Sequence, residues 1–194
     1  MKKAILFTAL LSSSLSLFAQ TSCDQQFKRL LIFSKKDKVS DTEFLTVLQM
    51  VKKMELQQCS DYVVSKNGEV IIDETLASLF GKICLTGNSR NAIKAYIEFV
   101  KRNMGSADEE MSILLEKLFV KHPQYVLSIV GYDKDLLNQL EWGFVNNHGV
   151  TSKNYKTVFF GINPELKSLY PKYRKAIDYL LNEIGEEIKD WKNE

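Results

Sequence analysis

The side chains of this 194-residue chain that could do chemistry are few: three cysteines (Cys23, Cys59, Cys84), two histidines (His122, His148) and scattered carboxylates. Nucleophilic hydrolysis needs a serine or cysteine oriented beside a base. The sequence has neither a Gly-x-Ser-x-Gly elbow nor a cysteine-protease signature. It also lacks a His-Glu-x-x-His zinc pair, a glycine-rich phosphate loop, a dinucleotide-binding turn and the alternating acids of a calcium loop. The cysteine spacings match no zinc motif, so neither a metal nor a cofactor is implied. His122 precedes Pro123 at a helix start, a place for capping or solvent contact, whereas His148 lies between Asn147 and Gly149 in a stretch rich in turn residues.

Two carboxylates flanking a bond could hydrolyse a glycoside by acid-base chemistry. Asp108-Glu109-Glu110 opens a helix, where negative charge complements the dipole, and Glu186-Glu187 belongs to a polar face opposite Ile184 and Ile188. Glu141, next to Trp142, is the one acid whose surroundings suggest a site. It stands at the edge of an aromatic-rich segment, 142–170, in which Gly143, Asn146, Asn147, Gly149, Gly161, Asn163 and Pro164 signal turns and the helical stripe lapses. Such a segment either tucks its aromatics into the core or presents a recognition surface. The candidate binding residues are Trp142, Asn146, Asn147, His148, Tyr155 and Phe160.

The elements that must position these residues are helices. Ser40-Asp41-Thr42-Glu43 is a capping box, followed by Phe44, Val47, Leu48, Val51 and Met54 at steps of three and four. Ser106 to Glu109 repeats the device before Met111, Leu114, Leu115, Leu118 and Phe119. Comparable stripes run over 24–34, 73–84, 89–103, 133–144 and 171–191, with a short unit behind Pro123. Short breaks between them make neighbouring helices antiparallel. The expected fold is all-α, with consecutive hairpins in an irregular, solenoid-like stack of the armadillo or HEAT type, or alternatively a closed helical bundle. No consensus recurs at a fixed period. Gly68 to Ile72 looks strand-like, with no obvious partner.

Met1-Lys2-Lys3, the apolar run from Ala4 to Phe18 and the small residue Ala19 form a secretory signal peptide over 1–19. Residues 20–194 then form a single domain that is periplasmic or secreted and has no stable membrane insertion. In an oxidising compartment three cysteines give one disulfide and one spare thiol. In an antiparallel hairpin the start of the first helix lies beside the end of the second, which favours Cys23–Cys59 slightly over Cys59–Cys84.

The chain is 45% hydrophobic and 26% charged, which excludes disorder, and its net charge of +2 resides in Lys2 and Lys3. The exported part is therefore neutral and lacks the basic footprint of a nucleic-acid binder. These features lead to an exported, non-enzymatic protein-binding module, such as an inhibitor or immunity protein acting on an exported toxin or cell-wall enzyme. The alternatives are a small carbohydrate-active or acid-base hydrolase using Glu141 with a second carboxylate, or a binder of glycan or a small ligand.

Overall fold

The structure, a computed structural model, describes residues 23–57, 59, 61–66, 69–87, 89–104 and 109–190. The expected signal peptide over 1–19, the expected second capping box at Ser106 and the terminal Trp191 lie outside the described residues. Nearly all of what is described is helical, with one two-stranded antiparallel ribbon. The chain divides into two compact units, one ending at Thr86 and one beginning at Gly87, where the sequence reading has a single domain.

In the first unit a helix over 23–34, α1, buries Phe27 and Leu30 completely. The capping box behaves as its spacing predicts: Ser40 Oγ accepts from the Glu43 amide, and Glu43 Oε2 accepts from the Ser40 amide. Lys36 and Ser40 together pull the Glu43 carboxyl down to about 2. The helix started there, α2 (Asp41–Leu56), buries Phe44, Val47, Met50, Val51 and Met54, leaving Leu48 only half-buried.

Two expectations change in the next stretch. The strand-like run has a partner: β1 (Asp61–Lys66) pairs antiparallel with β2 (Glu69–Thr75), matching Tyr62 with Glu74 and Lys66 with Glu69. Tyr62, Val63 and Val64 supply strand-favouring residues in a run too short to show a helical stripe. Asp73 to Thr75 consequently belong to β2, and the helix begins later, as α3 (Leu76–Gly87). Thr75 Oγ1 accepts from the Ser78 amide at 3.0 Å, and the Glu74 carboxylate accepts from Ser78 Oγ at 2.8 Å, so this corner holds both ends of the junction. Phe80 of α3 stacks on Phe44 of α2, with ring centroids 6.4 Å apart.

Cys23 and Cys59 stand at disulfide distance, their Cα atoms 5.7 Å apart, while Cys84 is a buried free thiol. The pairing favoured from hairpin geometry is the one present. Burial holds the Cys84 thiol well above its ordinary range.

The second unit contains α4 (Arg90–Asn103), α5 (Glu109–Lys121), α6 (Pro123–Val130), α7 (Lys134–His148), α8 (Tyr155–Ile162) and α9 (Glu165–Asp190). Ser89 and Asp133 cap α4 and α7 by accepting from the amides of Ala92 and Leu136. His122 precedes Pro123 but makes no side-chain cap. The segment 142–170, expected to be irregular, is mostly helical. Helix α7 runs unbroken through Trp142, Gly143, Asn146 and Asn147 to His148, and α8 and the start of α9 occupy most of the rest. The turns fall only where glycine or asparagine chemistry requires them. Gly149 ends α7 with φ 53°, a left-handed cap that suits glycine. Asn154 Oδ1 then accepts from the Thr151 amide at 2.7 Å. Within α9, Pro171 lies two residues before Tyr173, whose φ −114° and ψ 25° are not helical, so the helix is kinked there.

Candidate functional site

Helices α5 and α7 pack closely, and polar side chains cross the seam between them. Gly143 sits at the closest approach: a Cβ there would collide with the Ser112 carbonyl oxygen and come within 2.9 Å of Glu116 Cβ. The glycine that reads as a helix breaker is therefore the residue that lets α5 approach. Gly143→Ala is expected to force the helices apart and lower the unfolding free energy by about 2–3 kcal/mol, measured by urea unfolding. An unchanged midpoint would show that α5 yields freely.

One turn either side of Gly143, side chains cross the seam. Ser112 Oγ donates to Gln139 Oε1 at 2.5 Å. Glu116, only 1% exposed, accepts from Asn147 Nδ2 at 2.8 Å through one oxygen and contacts His148 Nε2 at 2.8 Å through the other. A carboxylate only accepts, so the imidazole nitrogen facing it carries the proton. The His148 ring also packs on Phe144, with centroids 5.0 Å apart. Two of the predicted binding residues thus converge on a buried carboxylate that the sequence reading did not single out.

The other candidates are not brought to that point. Asn146 Nδ2 donates to the Trp142 carbonyl at 2.9 Å, an interaction within α7, and Trp142 is half-buried. Tyr155 points its hydroxyl at Gly185 of α9, where a Cβ would stand 3.0 Å from it. Phe160 lies edge-on to Phe159 at 5.3 Å and to Tyr170 at 6.4 Å.

Glu141 occupies a different face of α7 and is 7% exposed, with Oε1 lacking a hydrogen-bond partner among the described residues. Burial first, then the negative charges of Glu187 and Glu183 on α9, push its carboxyl up to about 7. Its ordinary value is 4.5. Between these two values the folded chain holds a proton that the unfolded chain has released, so stability is greatest below about pH 4.5 and falls as pH rises through about 7. The loss amounts to about 2 kcal/mol after allowance for solvent screening. Glu141→Gln is expected to remove this slope and to leave the variant more stable than the wild type above pH 7. Urea unfolding across the neutral range checks it, and an identical slope in both proteins would refute the assignment.

A third cluster, absent from the sequence reading, lies where the α6–α7 turn faces the kink of α9. Tyr132, 51% exposed, meets Tyr179 edge-on at 5.8 Å, and Lys134 Nζ lies 5.4 Å from the Tyr179 ring centroid. The Tyr179 hydroxyl donates to Asn138 Oδ1 at 2.9 Å, and Lys172 lies over the Tyr173 ring. The sequence signal was the run Tyr170-Pro171-Lys172-Tyr173-Arg174-Lys175, which alternates aromatic and basic residues around a proline.

No protein-family model, curated protein or solved structure matches this chain. Among the described residues, no three His, Cys, Asp or Glu side chains converge to hold a metal ion, and no helix is long and apolar enough to cross a membrane.

Proposed function

We propose that this chain is an exported, non-enzymatic protein-binding module, periplasmic or secreted, that occupies the surface of a partner such as an exported toxin or cell-wall enzyme. One observation carries the reading: Asn147 and His148 are spent on Glu116 at the rim of the α5–α7 seam, while the exposed Tyr132 and Lys134 gather around the half-buried Tyr179 with no such buried partner to serve. Tyrosine offers large contact area for little lost conformational freedom, which suits a binding face better than a packing role. Export is supported by the signal-like N-terminal sequence and by Cys23 and Cys59 at disulfide distance.

The irregular stacked-hairpin architecture belongs to the same reading. In the second unit α4 packs on α5 and α6, α5 on α6 and α7, α7 on α9 and α8 on α9, so most contacts join next or next-but-one neighbours, while α6 also meets α9 and α4 meets α7. Contacts mainly between near neighbours support a stacked-hairpin reading, in which successive helices build an extended face.

Isolation of the tagged full chain from the exported fraction, with competition between deletion and parent strains, tests the function. A stoichiometric partner and a fitness loss on deletion are expected. Recovery of no partner with unchanged fitness would reject it.

The acid-base alternative has one observation in its favour, the raised Glu141 carboxyl facing Glu183 and Glu187. Its burial between α7 and α9 suits a proton-linked effect on stability better than contact with substrate. A glycosidase activity lost in Glu141→Gln without loss of fold would reverse that preference.

A further inference from the structure

We infer that the depression between the α6–α7 turn and the kink of α9 docks an acidic segment of a protein partner, one that alternates carboxylates with apolar side chains. This rests on the reading of the chain as a protein-binding module and names the partner's chemistry.

The shape comes from the backbone. Pro171 supplies no amide donor and Tyr173 departs from helical angles, so α9 bends beside Gly131 and Tyr132 and leaves an open depression of about 520 Å³. A second hollow of about 360 Å³ shares Tyr132 and Lys175 with the first and reaches Asp178 and Tyr179. Joined at Tyr132 and Lys175, they form one open track with Tyr132, Tyr173 and Tyr179 as apolar stations along it.

The charge comes from the side chains. Lys172, Arg174 and Lys175 line the larger hollow, and no acidic residue lines it among the described residues. Asp178, the acid lining the smaller one, already accepts from the Tyr170 hydroxyl at 2.6 Å and from Arg174 Nε at 3.4 Å. The nearby Asp133 is bound to Lys101 at 2.5 Å, and Asp135 acts on that same lysine. Lys175 has no ion-pair partner among the described residues. The Nε contact leaves the terminal nitrogens of Arg174 to form a bidentate pair with an incoming carboxylate. Three cations and three tyrosines on one short track complement acidic and apolar side chains in alternation. A nucleic acid would ask for a basic surface extending well beyond this track, and the exported part of the chain is charge-balanced.

The test uses the full exported chain and a fluorescent peptide of alternating glutamate and leucine, read by anisotropy. Binding is expected to weaken with added salt. It is also expected to fall about tenfold or more in Lys172→Glu/Arg174→Glu/Lys175→Glu and in Tyr132→Ser, with helical circular dichroism unchanged in both. No binding, equal binding of the peptide with lysine in place of glutamate, or unaltered binding by the charge-reversed variant would each overturn the inference. Displacement of the peptide by oligothymidylate at lower concentration than by unlabelled peptide would assign the track to nucleic acid and overturn it as well. Partner isolation with the charge-reversed chain separates the two levels. A partner retained by that chain overturns the docking inference and leaves the protein-binding function standing, whereas a wild-type chain that isolates no partner overturns the function itself.

Discussion

Replacing His148 by alanine is expected to lower the free energy of unfolding by about 3 kcal/mol, because it strips one of two partners from a carboxylate that water hardly reaches. Glu116 is 1% exposed and the His148 side chain 22%, so solvent can replace the lost imidazole only from the rim of the seam. Asn147 still donates to the other oxygen, which is why the cost sits at the lower end of the range for breaking a buried pair. Glu116→Leu alone leaves the donors of Asn147 and His148 at that rim, where water can reach them. The asymmetry gives the test its form. If the seam works as described, Glu116→Leu in the His148→Ala background recovers much of the loss, since the uncompensated charge is gone. A double-mutant cycle by urea unfolding measures the coupling. Coupling near zero would mean that the Glu116 oxygen is hydrated without His148, and the seam would then carry no energetic specificity.

What the sequence made legible was mostly local. Ser40 and Glu43 form a cap because both partners lie within one turn, and the apolar stripe behind them needs only the helical period to be seen. The cysteine pairing was accessible because a hairpin relates the ends of adjacent helices by simple geometry. Gly143 shows where local reasoning stops. Glycine, asparagine and histidine in close succession carry the composition of a turn, but Gly143 answers to the Ser112 carbonyl on another helix. Asn147 answers to Glu116, 31 residues away. Tertiary contact overrides propensity at those positions, and nothing within the window of a turn records it. The hairpin of β1 and β2 was missed for a related reason, since half of its evidence lies in the partner strand. The basic and aromatic residues around Pro171 were visible as composition. Their meeting with Tyr132 depends on the bend in α9, which a proline permits without fixing its direction.

Loss of the Cys23–Cys59 bridge is expected to cost about 4 kcal/mol. The two residues are separated by 36 positions, and a loop of that size removes considerable freedom from the unfolded chain. The bridge also ties the beginning of α1 to the end of α2, whose buried faces hold Phe27, Leu30, Val47 and Met54. Without it those faces remain in contact only through apolar burial, and a unit of this size has little stability to spare. Cys23→Ser/Cys59→Ser should therefore unfold at markedly lower urea concentration than the parent, with an altered slope because the cross-link no longer compacts the denatured state. Thiol titration provides an independent check. The native chain should react slowly or not at all, since Cys84 is buried and its thiol is held protonated. One thiol should appear on unfolding, and all three only after reduction. Three thiols reacting on unfolding without reductant would remove both the bridge and the inference of an oxidising compartment, because the same pair of cysteines supports each of them.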